Sequence, residues 1–380
     1  MPATAADLFV PVCEPLLDGR EREYVLDCLD GNWVSSLGKY IPLFEERFAA
    51  YCGAAHGVAC STGTAALHLA LEALGIGPGD EVIIPDFTLI VSANAVCWTG
   101  ATPVPVDVDR ETGCIDPQQI ARAITPRTRA IMVVHMYGHP ADMEAILTIA
   151  RRHDLRIIED AAQAHGAEVF GRRVGAIGDV GAFSFYGNKI ITTGEGGMLV
   201  TNDPAIAGRA ALLRNQAFEQ ERFVHRAVGY NYRMTNIQAA IGLAQCETID
   251  EKVARKIAIA RRYDELLADC DDLITPICRR WAKNVYWMYG VRVKDSFGCS
   301  AAEVRRQLEQ RGVETRAFFV PMHRQPVYQG QHPRWPALGG DFPVSDEWSQ
   351  TGLYLPGGLS LTNEMQCHVI QQLLNCRRSA

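Results

Sequence analysis

VACSTGTAALHLALEALGIGPGDEVIIPDFTLIVSANAVCWTGATPVPVD, residues 58–107, alternates between two periodicities. Short apolar runs at 58–60, 81–84 and 102–107 predict strands, and the stretches between them, 65–74 and 92–98, carry helical spacing. Gly75 stands where a C-cap would end the first helix. A strand–helix–strand–helix–strand order requires crossover connections, and these build a largely parallel sheet covered on both faces. The pattern continues outward, with strands predicted at 130–135, 155–159, 180–186 and 197–201 and helices at 118–123 and 143–153. The fold class is therefore α/β.

From about Met234 the pattern changes. Residues 235–268 read as one long helix broken near Asp250, and the charged run of Glu251, Lys252, Arg255, Lys256, Arg261 and Arg262 reads as its solvated face. A strand at 287–293, a helix at 301–311 stopped by Gly312 and a loop over 322–343 follow. This divides the chain into a large domain, 1–250, and a smaller α+β domain, 251–380, in keeping with a length of 380 residues.

Composition excludes several classes. The net charge of −7 disfavours nucleic acid or an anionic membrane as partner. No apolar run approaches the roughly 20 residues of a membrane-spanning helix, and the N-terminal stretch lacks the basic and apolar regions of a secretory signal. The 12 cysteines are scattered singly with no C-x-x-C pair, which argues against structural zinc and for free thiols in a reducing cytoplasm. His135 and His139 have i, i+4 spacing, but Gly138 and Pro140 spoil the helix that joint metal ligation needs, and no third ligand is evident. No metal is expected.

Ligands of open α/β sheets sit beyond the carboxyl ends of the strands, and the residues there are polar. Ser61-Thr62-Gly63-Thr64 follows a strand and opens a helix, a ready anion site that could equally be a simple cap. It is neither a P-loop nor a dinucleotide fingerprint. Asp160 closes the run 155–160, where a carboxylate needs a cationic partner or a capping role, and Gln163 lies three residues on. Of the six lysines, two lie on the charged helix and two flank the C-terminal strand. Only Lys189 follows an apolar strand and sits among Gly, Asn and Thr at the cleft end, where desolvation can make an amine nucleophilic. A phosphate site, a carboxylate for a cationic ring nitrogen and a lysine for an aldehyde are together the needs of pyridoxal 5′-phosphate (PLP).

At these residues the chain resembles the DegT/DnrJ/EryC1/StrS sugar aminotransferases, over about residues 11–365. The stretches that carry the likeness are GNWVSSLGKYIPLFEERFAAYCG (31–53), CSTGTAALHLALEALGIGPGDEVIIP (60–85), EDAAQAHGA (159–167), GAFSFYGNKIITTGEGGMLVT (181–201) and GYNYRMTNIQAAIG (229–242). The resemblance implies the PLP-dependent transferase fold type I, like that of aspartate aminotransferase. It implies that Lys189 binds the cofactor aldehyde, that Asp160 partners the pyridine nitrogen, and that Gln163 lies near the 3′-oxygen. Gly63, Thr64 and Ser184 match phosphate contacts. Asn231 matches a residue that reaches the phosphate from the neighbouring subunit of a homodimer. Leu89 stands where many relatives place an aromatic ring over the cofactor.

Lys189 favours aminotransfer, since relatives with histidine there are dehydratases. Glu195 in TGEGGM is similar to members that aminate C4 of a nucleotide-linked 4-keto sugar. ETRAFFVPMHRQPVY (314–328) resembles members that turn GDP-4-keto-6-deoxymannose into GDP-perosamine with L-glutamate as donor, which implies Arg316, His323 and Tyr328 as substrate contacts; an ion-pair role for Arg316 and a capped-loop role for His323 stay open. So do a dTDP- or UDP-linked substrate, a PLP-dependent dehydratase, and a non-catalytic binding protein or regulator on the same fold. The role of His165, beside Asp160 in EDAAQAHGA, is open as well.

Overall fold

The computed structural model describes residues 9–219, 221, 223–332 and 334–377, so the first eight residues of the N-terminal stretch read above lie outside the described residues. Helices α1 (Glu21–Asp30) and α2 (Tyr40–Cys52) precede β1 (His56–Cys60), α3 (Gly63–Ala73), β2 (Glu81–Pro85), α4 (Val91–Trp98) and β3 (Thr102–Val106). Then come α5 (Pro117–Ala123), β4 (Thr128–Val134), α6 (Met143–His153) and β5 (Arg156–Asp160). A small hairpin, β6 (Glu168–Val169) and β7 (Arg172–Arg173), leads to β8 (Val180–Ser184), β9 (Gly197–Thr201), α7 (Pro204–Arg214), α8 (Asn236–Glu247) and α9 (Ile249–Leu266). The remainder is β10 (Leu273–Ile274), β11 (Ala282–Lys283), β12 (Tyr289–Val293), α10 (Ala301–Gln310), β13 (Arg316–Ala317), α11 (Pro343–Thr351), β14 (Gly352–Leu355) and α12 (Asn363–Leu374).

The main sheet has the order β1-β9-β8-β5-β4-β2-β3. Strands β8, β5, β4, β2 and β3 are mutually parallel, and β9 runs antiparallel between β8 and β1. Alternate residues of the central strands enter opposite cores, as a two-fold side-chain period requires. Ile83, Ile131, Val133, Ile157 and Phe183 face one layer with Phe44, Phe48 and Ile146. Val82, Ile84, Met132, Ile158, Ala182 and Leu199 face the other with Leu67, Leu71 and Leu213. Pro103 and Pro105 cannot donate to a ladder, and β3 accordingly lies at the sheet edge.

A third core unites Ile259, Tyr263, Tyr289, Val291, Leu308, Leu353, Leu355 and Leu373 around the antiparallel sheet β10-β12-β14-β13. Helix α9 passes from one core to the next: Ile249 and Val253 pack in the large one, Ile259 and Tyr263 in the small one. The chain's start crosses too, since Val10 donates to the Gly312 carbonyl at 2.8 Å and packs in the third core. The long helix expected over 235–268 is two helices meeting at Thr248, with Thr235 and Gln238 forming a capping box at the start of α8. The expected loop over 322–343 contains two single-turn 3₁₀ segments, Met322–Arg324 and Pro326–Tyr328.

The charged face of α9 is not uniformly solvated. Lys252 and Lys256 are buried; Lys252 pairs with Asp18 at 2.7 Å, and Lys256 donates to the carbonyls of Trp287 and Gly357. The N-terminal segment and the loop before β12 cover this face, which no local periodicity reveals.

Candidate active site

The end of β1, the end of β8 and the start of β9 converge, with Gly197 opposite both Cys60 and Ser184. Thr62, in extended conformation, caps α3 by accepting the Ala65 N–H at 3.1 Å. Gly63 then opens the helix so close to β8 that a Cβ there would lie 2.6 Å from the Ser184 Cβ. Gly63 and Ser184 therefore meet at the start of α3, where the first-turn N–H groups of a helix carry partial positive charge.

Asp160 is the last residue of β5 and is buried. Its carboxylate accepts the Ala162 N–H at 3.2 Å, and burial raises it above the usual aspartate range despite that bond and the nearby Lys189. Behind it, Glu159 accepts from the amides of Gly175 at 2.8 Å and of Ile177 and Gly178 at 2.7 Å, and pairs with His135 Nε2 at 3.1 Å. Burial alone would raise Glu159, but the His135 bond and these amides outweigh it and hold the carboxylate below its ordinary value. His135 accepts the Ala141 N–H at Nδ1, so Nε2 carries the proton given to Glu159. The 135–139 histidines serve the fold: His139 Nδ1 donates to the Pro140 carbonyl at 2.7 Å and its Nε2 accepts the Arg279 N–H at 3.2 Å. Among the described residues no three His, Cys, Asp or Glu side chains are grouped to hold a metal ion.

Gln163 is buried, and its Oε1 accepts the Tyr137 N–H at 2.8 Å, which leaves the NH2 end to donate. Lys189 lies in the loop between β8 and β9, its N–H bonded to the Tyr186 carbonyl at 2.9 Å. Its ammonium lies 3.9 Å from the ring centroid of Trp287. Burial pushes this amine down to about 8, against the opposing pull of Asp160 and Cys13. Leu89 is well exposed just ahead of α4. His165 is fully buried beside Phe48, Phe183 and Phe185, with neither ring nitrogen hydrogen-bonded, and burial pushes it down to about 3.

The residues expected to touch substrate are placed differently from one another. Arg316, on β13, is exposed and pairs with Glu314 at 2.5 Å. His323 donates its backbone N–H to Asp86 at 2.9 Å, and its ring bonds Asp86 at 2.7 Å and approaches Asp346 at 3.4 Å, so both ring nitrogens are engaged. Tyr328 is 2% exposed, and its hydroxyl donates to Asn94 at 2.6 Å. Asn231 is exposed, in a bridge with Asn215. Glu195 is exposed, and its carbonyl accepts from Thr193 and Gln238. Trp287 and the Glu159–His135 pair escaped sequence reading, because nothing local links them to Lys189 or Asp160.

The described residues fit PLP in three respects. Gly63 lets the start of α3, with its first-turn N–H groups, pack directly against Ser184, the kind of anion-attracting helix end a phosphate needs. Asp160 is a buried carboxylate that a cationic N–H would satisfy. Lys189 has an amine that desolvation drives toward its neutral form. Residues 15–374 match the model of the DegT/DnrJ/EryC1/StrS aminotransferase family. The chain belongs to this family. It is 48% identical over 355 residues to the GDP-perosamine synthase of Caulobacter vibrioides, covering 93% of this chain and 94% of that one. Against the GDP-perosamine synthase of Escherichia coli O157:H7 the identity is 42%, covering 96% and 98%. Among solved structures, DesV of S. venezuelae in complex with a ketimine intermediate superposes with a TM-score of 0.88 at 40% identity, covering 95% of each chain. The fold is thus that of the PLP-dependent sugar aminotransferases, and the protein is a PLP-dependent transaminase.

Proposed function

We propose that this enzyme moves the amino group of L-glutamate to C4 of GDP-4-keto-6-deoxymannose, giving GDP-perosamine. The observation that carries the reading is 40–48% identity over nearly the whole chain to three GDP-perosamine synthases, joined to a lysine, a buried carboxylate and a helix start that lie at or beyond the ends of β8, β5 and β1. When bound, PLP supplies an electron sink for the electrons left by a departing α-proton. The chain's residues do the rest. Gly63, Thr64 and Ser184 would hold the phosphate, Asp160 would favour a protonated ring nitrogen, and Gln163 and Leu89 would add an amide and an apolar contact to the bound cofactor. Lys189 Nζ would take the proton from the α-carbon of glutamate and hold it for return, acting as base and then acid. In the second half-reaction it runs the same transfers in reverse on the sugar, predicting ping-pong kinetics.

Substrate contact falls to Arg316 in this reading. The polar atoms of His323 and Tyr328 already have partners within the chain, and Tyr328 is packed in the core, so neither is left to hold the sugar. The enzyme works as a homodimer in which Asn231 reaches the neighbouring subunit's phosphate. Exposed Trp33, Leu37 and Phe223 support this, Leu37 and Phe223 bordering a cavity of about 670 Å³ together with Asn215, the bridge partner of Asn231. No helix among the described residues is long and apolar enough to cross a membrane. The twelve cysteines, none of them in a disulfide among the described residues, support a cytoplasmic setting.

The test begins with the absorption spectrum of purified protein reconstituted with PLP. L-Glutamate should bleach the visible band, and GDP-4-keto-6-deoxymannose should restore it while releasing an amino sugar. Restoration by a dTDP- or UDP-linked 4-keto sugar alone would reassign the nucleotide. Loss of the sugar hydroxyl without amine transfer would make the enzyme a dehydratase.

A further inference from the structure

Trp287 touches Lys189 in two ways. Its ring lies 3.9 Å under the Lys189 ammonium, and its indole N–H donates at 2.7 Å to the carbonyl of Asn188, the residue just before that lysine. One side chain therefore holds both the amine and the backbone that carries it. Trp287 is itself fixed from several sides. It is buried, its carbonyl accepts the buried Lys256 ammonium at 3.1 Å, and its ring stacks on Tyr137. A side chain on Gly138 would put a Cβ 2.8 Å from the Trp287 N. A tryptophan face in a water-poor site is the best of the aromatic seats for a cation.

We propose that Trp287 is a positioning residue that seats the free Lys189 amine as an ammonium on its indole face whenever that amine is not bonded elsewhere. The proposal rests on reading Lys189 as the amine of the site. Groups from every neighbouring element bear on the same amine. Asp160, at the end of β5, and Cys13, in the N-terminal segment, favour its charged form; burial opposes it. His165, after β5, is held neutral by burial. Lys256, on α9, is engaged by carbonyls. Against this background the indole face adds a preference for the ammonium, so removing it lowers the amine's pKa and raises its reactivity near neutral pH.

The experiment uses cofactor-free protein and needs no turnover. Wild type, W287F and W287L are labelled with formaldehyde and cyanoborohydride across a pH series, and dimethylation of the Lys189 peptide is read by mass spectrometry. Both variants lose the indole N–H, so the difference between them reports the aromatic face alone. The expected midpoint for W287L lies about one pH unit below wild type, with labelling near neutral pH up to about tenfold faster, and W287F lies between the two. Identical midpoints for W287F and W287L overturn the proposal. Should W287L not fold, tryptophan fluorescence of the wild type against K189M serves instead. A pH-dependent emission step present in wild type and absent in K189M supports the seat, and identical titrations sink it. A wild-type chain that takes up no PLP removes the reading of Lys189 as the cofactor lysine while leaving this titration intact, so the two failures are distinguishable.

Discussion

In the proposed reading, Lys189 is the residue on which the chemistry turns. Replacing it with alanine removes the base, the acid and the covalent attachment point together, and turnover in Lys189→Ala should fall by about a thousandfold or more; retained turnover in a coupled assay would reject the assignment. Asp160→Asn keeps the shape but removes the charge that holds a ring proton, and should cost on the order of a hundredfold in kcat, with the spectrum of bound PLP showing whether the site still fills. The amine is driven down to about 8 by burial. Below that pH the freed Lys189 is increasingly an ammonium and cannot take a proton. The glutamate half-reaction should therefore quicken as pH rises toward about 8 and level off above it, while a flat profile from pH 6 to 9 would place the limiting step elsewhere. Lys189 stood out in the sequence because the other lysines belong to a charged helix, to the flanks of a strand or to the N-terminal part. Trp287 did not, since it lies 98 positions further along and reads locally as part of an ordinary strand.

Strand β5 shows what one element does for the site. Its last residue, Asp160, faces the ligand end, while Glu159 points the other way and collects three backbone amides and His135. In Glu159→Gln one oxygen becomes an NH2 facing donors, and the loss of a buried charge from its partners should cost about 3 kcal/mol in urea unfolding. The sign with pH follows from the lowered carboxylate. Its stabilising effect is complete above the unfolded value near 4.5 and fades as pH falls through the lower folded value. The gap between wild type and variant should therefore shrink under acid, and a gap that stays constant to pH 3 would contradict the assignment. Strands of this kind were legible because both faces are buried and the apolar runs are unbroken. The direction of β9 was not, because strand order is decided by pairing with β1 and β8 across the sheet. Helices α1 and α2 were missed for a different reason: Leu26, Leu29 and Leu43 are exposed, so the polar face that would mark an amphipathic helix is blurred. The burial of Lys252 and Lys256 likewise depends on segments far away in sequence.

At the scale of the whole molecule, the question is whether one chain contains a complete site. Lys189 is half-buried in the loop between β8 and β9, against Trp287, whereas Asn231 is exposed beside a loop bearing the apolar Phe223 and Val228. The bridge to Asn215 fixes the backbone of Asn231 within its own chain, and in the proposed dimer a phosphate held by the neighbouring subunit would give this exposed amide a partner. This makes a prediction that single-chain catalysis cannot imitate. Lys189→Ala and Asn231→Asp chains should each be poorly active alone, the second because a carboxylate repels the phosphate it faces. Coexpressed and freely paired, about half of the dimers are mixed, and each mixed dimer holds one site with an intact lysine from one chain and an intact asparagine from the other. Activity should then recover to about a quarter of wild type. Sedimentation of the purified mixture establishes the dimer, and titration of PLP per chain counts the restored sites. If the mixture has no more activity than the sum of its two parents, the asparagine acts within its own chain, and the exposed apolar surface around it belongs to another contact.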